Sequence, residues 1–321
     1  MRDIVTFSIP LRTRFRRVDH REGVLLHGPA GWGEFSPFPD YPPAVTRHAH
    51  DAAREAAEVG WPAPLRDRIV VNTTVPAVDP ATAYRMVAAS GCTTAKVKVA
   101  EPGQDLHADV ERVAAVRDAL GAGGRIRVDA NGAWDVDQAA AALRALDRYD
   151  LEYAEQPCAT LDEMAALRRR CTVLIAADES VRSAADPLRI AGLEAADVVV
   201  LKVQPLGGVR RCLEVAASAG LPAVVSSAVE TSVGLAAGVA LAAALPELPF
   251  ACGLGTLPLL RGDVSADPLL PAGGYLPVRR AAPDAAALAR WTPADAAPLL
   301  RRFQVAGRAA RAAGDVERWR P

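Results

Sequence analysis

Of the 37 basic residues in this 321-residue sequence only three are lysines, Lys96, Lys98 and Lys202. An arginine keeps its proton at any ordinary pH, whereas a lysine surrenders it when its surroundings lower its pKa. Lysines retained in so arginine-biased a chain point to positions where arginine chemistry would fail. Three acids, Asp129, Glu155 and Asp178, each close an apolar run. Three carboxylates brought together repel one another unless a hard cation lies between them. With no histidine at these positions, Mg²⁺ is favoured over zinc, and Mn²⁺ would also serve. A substrate carboxylate on such a cation presents its α-carbon to an amine on either side, and the cation stabilises the anion left when the α-proton departs. Lys98 is the candidate base, its pKa lowered by Lys96 and by partial burial.

The elements that must position these groups recur in a strand-then-helix rhythm. Strand-like runs are predicted at Ile69–Asn72, Thr94–Val99, Arg125–Ala130, Leu151–Glu155, Val173–Asp178, Asp197–Val203, Ala223–Ser227 and Phe250–Gly253. Alanine-rich stretches with helical spacing lie between them, among them Asp105–Leu120, Val136–Leu146, Val209–Ala219 and Val233–Ala244. Eight such runs argue for an α/β fold, a TIM-like barrel in preference to an open doubly wound sheet. Side chains alternate along a strand, so Lys96 and Lys98 share one face, as do Arg127, Asp129 and Asn131. In a ring of eight the second and sixth strands stand on opposite walls, which sets Lys98 against Lys202 with the acids on the arc between. Any single strand-end acid could instead cap the next helix; the ordered set is harder to explain that way.

Residues 1–66 read as a separate α+β capping domain, with the segment from about 280 to 321 returning to it, and 67–279 as the barrel. The turn-rich stretch Gly31–Pro42 is expected to form a lid. A net charge of -1 gives no reason to expect nucleic acid as a partner. The five cysteines form no C-x-x-C pair, which suits a reducing compartment. The apolar segment Val233–Leu245 is too short to cross a bilayer, and the N-terminus lacks a signal-peptide core, so the expected location is the cytoplasm. The expected partner is a small-molecule carboxylate rather than nucleic acid or membrane, with the chain a monomer or weak homo-oligomer.

Lys96-Val97-Lys98, Asp129-Ala130-Asn131, Glu155-Gln156-Pro157, Asp178-Glu179-Ser180 and Lys202, together with Gly31-Trp32-Gly33-Glu34, resemble the muconate-lactonizing subgroup of the enolase superfamily. The general scheme of a lysine base with magnesium in that superfamily is a known pattern. The resemblance implies a (β/α)₇β barrel with an α+β cap. Within the subgroup, Arg127, Ser226-Ser227-Ala228 and Gly253-Leu254-Gly255-Thr256-Leu257 resemble the members that dehydrate 2-succinyl-6-hydroxy-2,4-cyclohexadiene-1-carboxylate. That likeness implies that Lys98 removes the α-proton and that Lys202 stays protonated beside the anionic ring. It also implies substrate contacts at Lys96, Arg127, Asn131, Ser226, Ser227 and Gly253. Cys252-Gly253-Leu254-Gly255 offers no acid for a substrate ammonium, which argues against dipeptide epimerization. N-succinylamino acid racemization and other cycloisomerase or racemase chemistry of the subgroup, muconate cycloisomerization among it, stay open, as does, from another class, a Schiff-base aldolase using Lys98 or Lys202.

Overall fold

The computed structural model describes residues 3–183 and 188–312; residues 1–2 of the expected cap and 313–321 of its returning tail lie outside that range. Three antiparallel strands open the chain, β1 (Ile4–Phe15), β2 (Val18–Gly28) and β3 (Gly31–Phe35). The first hairpin turns tightly at Arg16 and Arg17, both left-handed with φ of 47° and 65°. Helix Pro43–Arg54 lies across this sheet, its small Ala49 and Ala53 meeting Val24, Leu26 and Phe35. Gly33 is required there, because a Cβ at that position would collide with the carbonyl of Ala53. Phe303 and Ala306 from the late helix Ala297–Ala312 close the same small core.

Eight parallel strands follow: β4 (Arg68–Val75), β5 (Thr94–Lys98), β6 (Arg125–Asp129), β7 (Leu151–Glu155), β8 (Ile175–Ala177), β9 (Val198–Leu201), β10 (Ala223–Val225) and β11 (Cys252–Gly255). Each pairs with the next in sequence, β11 pairs with β4, and a bridge between Ser226 and Gly253 joins the last gap. Helices follow β4 through β10, capped by Asp79, Asp105, Asp135, Thr160 and Thr231 where the chain must leave a loop. β11 is followed instead by a single short 3₁₀ turn, which makes the ring a (β/α)₇β barrel. A short β12 (Tyr275–Pro277) then pairs antiparallel with the start of β4.

Two sequence expectations need correction. Gly31–Phe35 is a strand rather than part of a loop, because Phe35 alternates into the cap core and its backbone pairs with β2; the loop starts only at Ser36. The first barrel strand runs beyond Asn72 through the β-branched Thr73, Thr74 and Val75. The apolar helix expected at Val233–Ala244 spans Ser232–Ala244 and is buried along almost its whole length. No helix among the described residues is long and apolar enough to cross a membrane.

Candidate active site

The barrel interior is filled from below. Tyr153, Ala176, Val198, Val200 and Val224 form an apolar plug with Phe250 packed against it. Above this plug the inward positions become charged, at the C-terminal ends of the strands where barrel enzymes carry their chemistry. Asp129 ends β6, Glu155 ends β7 and Asp178 follows β8; their exposures are 0%, 1% and 1%. Burial this complete requires that the charges be compensated.

The three amines supply the compensation. Lys96 Nζ donates to Asp129 Oδ2 at 3.0 Å and to both oxygens of Glu155 at 2.9 and 3.0 Å. Lys98 Nζ donates to Asp129 Oδ2 at 2.5 Å and to Asn131 Oδ1 at 2.6 Å. From the other side Lys202 Nζ donates to Asp178 Oδ2 at 2.5 Å and lies 4.0 Å from Glu155 Oε1. Arg182 braces the same Asp178 at 3.0 Å.

These partners pull the titrations apart. Burial opposes charge on Lys96, yet Glu155 and Asp129 outweigh it and raise its pKa. For Lys98 burial wins: despite Asp129, burial assisted by Lys96 and Lys202 leaves its pKa lowered. Glu155 is pushed up by burial and by the Asp129 and Asp178 carboxylates, against the pull of Lys96 and Lys202. Asp178 is buried too, but Arg182 and Lys202 hold it well below the usual carboxylate range.

The backbone at the strand ends is tuned to aim these groups. Asn131 and Gln156, just past β6 and β7, are left-handed with φ of 49° and 39°. Gln156 is fully buried; its Oε1 accepts from Asp178 N at 2.9 Å and Ser180 N at 3.1 Å, while its Nε2 donates to Ser180 Oγ at 2.7 Å. It thereby splices one strand end to the next.

As they stand, no three acidic, histidine or cysteine groups among the described residues are arranged to hold a metal ion. The ammonium of Lys96 sits between Asp129 and Glu155, and that of Lys202 between Glu155 and Asp178. The donor set itself is three buried carboxylates from neighbouring strands, and one of them, Glu155, is destabilised as an anion by the other two. The chemistry of that donor set fits a hard divalent cation.

The cavity above the trio is lined by Lys96, Lys98 and Lys202, by Ser226 and Ser227, and by Thr74, which is buried beside β5. Its roof is Phe15, Arg16 and Phe38 from the capping sheet and its loop, with Phe15's ring 5.3 Å from Lys98 Nζ. Its volume is about 20 Å³, room for little more than one water. Ser227 Oγ lies 2.7 Å from Thr256 Oγ1 and accepts from Val229 N at 2.8 Å. Val229 is held at a φ of 60°, an unfavourable conformation for a β-branched residue, while its carbonyl accepts from the buried Arg21.

Among the expected contacts, Asn131 reaches Lys98, and Ser226 and Ser227 reach the cavity wall. Gly253 contributes as backbone, its carbonyl accepting from Ser227 N at 3.0 Å; a Cβ there would stand 2.5 Å from Ser226 Oγ. Arg127 is the exception. Its guanidinium donates to Glu152 Oε2 at 2.5 Å, Asn72 Oδ1 at 3.1 Å and the Ala251 carbonyl at 2.6 Å, and it does not line the cavity. It stacks 4.7 Å from the Tyr153 ring, one layer beneath the acids. Two residues along a strand is one layer down, which alternation alone does not distinguish from the mouth of the site. Thr74, Thr256 and the roof residues Phe15 and Arg16 were not found by sequence reasoning, whereas Phe38 falls within the stretch expected to form a lid. Thr74 lies beyond the run taken as the first strand, and nothing local marks which cap residues face a barrel formed much later in the chain.

Residues 80–283 match the family described as enolase C-terminal domain-like, and residues 6–57 the one described as enolase N-terminal domain-like. Fold and site together are those of an enolase-type capped barrel. At 68% identity over 274 residues the chain is similar to an o-succinylbenzoate synthase of Thermobifida fusca (strain YX), across 85% of this chain and 86% of that protein. A second o-succinylbenzoate synthase, from Mycolicibacterium smegmatis, is 53% identical across 92% and 90% of the two chains. The chain belongs to the o-succinylbenzoate synthase family of the enolase superfamily. Solved structures share the fold: muconate lactonizing enzyme from Pseudomonas fluorescens superposes with a TM-score of 0.79 at 22% identity, covering 91% of this chain and 98% of that one. N-succinyl Arg/Lys racemase from Bacillus cereus does so with a TM-score of 0.75 at 20% identity, covering 91% and 97%.

Proposed function

We propose that this chain is a lyase that dehydrates 2-succinyl-6-hydroxy-2,4-cyclohexadiene-1-carboxylate to o-succinylbenzoate, a step of menaquinone biosynthesis. The observation that carries the reading is the pair of buried amines, Lys98 and Lys202, flanking three buried carboxylates. They do so in a chain 68% identical to a relative bearing that enzyme's name.

Lys98 is the base. Burial, assisted by Lys96 and Lys202, lowers its pKa, and it takes the proton from the carbon bearing the carboxylate. The electron pair of that C–H bond passes into the carboxylate-stabilised anion. When it returns, the C–O bond to the 6-hydroxyl breaks, Lys98 gives its proton to the departing oxygen as water, and the ring becomes aromatic. Lys202, whose amine is held by Asp178 on the other wall, faces the anionic ring. Asp129, Glu155 and Asp178 would hold Mg²⁺, or Mn²⁺. When bound, the cation supplies a Lewis acid for the substrate carboxylate, a contribution of roughly several kcal/mol. The five cysteines are all free, which suits a reducing cytoplasm.

The test is turnover of the cyclohexadiene acid by purified protein with Mg²⁺. Formation of the aromatic product is expected to stop with EDTA and to fall by about 10²–10⁴-fold in Lys98→Arg. Racemization of N-succinylamino acids without dehydration would overturn the reading, and borohydride trapping of the substrate with indifference to EDTA would favour an aldolase.

A further inference from the structure

Thr74 stands inside the cavity with nothing to bond. It occupies the inward face of β4 in register with Lys96, is 3% exposed and lines the cavity with the three lysines. Its Oγ1 has no protein hydrogen-bond partner. The other hydroxyls of that wall do: Ser227 pairs with Thr256, and Ser226 Oγ lies 3.5 Å from the Gly253 carbonyl. A buried hydroxyl without a partner destabilises a fold relative to a valine of the same shape. Nothing in the packing of β4 requires the oxygen.

The wall on which it stands gives it a ligand. Carboxylates occupy the side of the ring formed by β6, β7 and the end of β8, whereas hydroxyls occupy the side formed by β10, β11 and β4. On the proposed dehydration, on which this step rests, the ring carboxylate lies toward the acids. The substrate's succinyl arm, with its ketone and terminal carboxylate, is then the polar group left to meet the hydroxyl wall.

We infer that Thr74 is a substrate-positioning residue whose hydroxyl donates a hydrogen bond to an oxygen of the succinyl arm. It binds the arm in ground and transition states alike, so its loss raises KM more than it lowers kcat.

Thr74→Val and Thr74→Ser separate this from a structural role. Thr74→Val keeps or raises Tm, because no protein hydrogen bond is lost, yet weakens o-succinylbenzoate binding measured by calorimetry and kcat/KM by about 10- to 100-fold. Its affinity for benzoate, which lacks the arm, stays at the wild-type value, and Thr74→Ser restores most of the loss. An equal loss toward benzoate and o-succinylbenzoate, or a fall in Tm that accounts for the lost activity, assigns the residue to structure and overturns the inference. If the wild-type chain turns over the cyclohexadiene acid and Thr74→Val matches it in KM and in o-succinylbenzoate affinity, the Thr74 assignment falls alone. A wild-type chain without turnover removes the dehydration reading and this assignment with it.

Discussion

Gln156 shows how a single side chain sets the geometry of the acids. Its backbone is left-handed, its amide is fully buried, and its Oε1 accepts the backbone N–H groups of both Asp178 and Ser180. Replacing it with leucine of similar size leaves two buried N–H groups unsatisfied, at about 1–3 kcal/mol each, and frees Asp178 from the position that Arg182 and Lys202 brace. Gln156→Leu is therefore expected to lower Tm and to weaken Mg²⁺ binding about 10- to 100-fold, as loss of a ligand-orienting partner does. A Mg²⁺ titration of the folded variant checks this, and an unchanged affinity would show that Asp178 is positioned without it. The convergence of the acids and amines was legible in the sequence because strand alternation is a strict two-residue period. The roles of Gln156, Arg127 and Thr74 were not, because depth in a barrel and the partner of a buried amide depend on neighbouring strands. Arg127 shares its face with Asp129 and lies too deep to reach the cavity.

The loop after β3 lies over the site, with Phe38 in the cavity's roof. Ser36 is held to the barrel by Gln204, whose Oε1 accepts from Ser36 N at 2.8 Å and whose Nε2 donates to Ser36 Oγ at 3.0 Å. Arg302 of the late helix donates to the carbonyls of Pro37 at 2.9 Å and Phe38 at 2.6 Å, and Arg21 stacks 4.0 Å from the Phe38 ring. With these contacts made, the cavity of about 20 Å³ is smaller than a ring-sized acid. Gln204→Leu removes both clasps on Ser36. Faster amide exchange across residues 36–41 and a KM raised several-fold are expected, with the barrel's own exchange unchanged; exchange at the wild-type rate in the loop would show that Arg302 and Arg21 hold it unaided. The barrel was legible at this scale because its short, largely buried strands recur between helical stretches, five of which begin at an Asp or Thr cap. The cap loop was legible as a turn-rich stretch expected to form a lid, but its anchors, Gln204 and Arg302, were not, since they come from elements far along the sequence.

Cap and barrel are also joined by a buried acidic pair, which makes the whole molecule's stability depend on pH. Glu34 at the end of β3 accepts from Gly234 N at 3.0 Å and Thr231 N at 3.3 Å, at the start of the barrel helix Ser232–Ala244. Thr231 Oγ1 also donates to it at 2.5 Å and Ser36 Oγ at 2.6 Å. Glu230 is packed alongside: a Cβ on Gly234 would sit 2.6 Å from Glu230 Cβ and 2.9 Å from Glu34 Cδ. Burial and Glu230 outweigh the hydrogen bonds from Ser36 and Thr231 and the charge of Arg21, and raise the Glu34 pKa to about 7. Burial raises Glu230 as well, against the pull of Arg21. A carboxyl with a raised pKa binds its proton more tightly folded than unfolded. Its contribution is complete below the ordinary glutamate value and is lost as pH rises through about 7, at up to roughly 1.4 kcal/mol per pH unit. Removing one acid relieves the other, so Glu230→Gln is expected to flatten this slope. Its Tm relative to wild type should rise by a few degrees between pH 6 and pH 8, while the titrating acids of the active site cancel in the comparison. Melting curves of the two proteins that stay parallel across that range would show that Glu34 is already ionised in the folded chain, held by its four hydrogen bonds and the helix N-terminus.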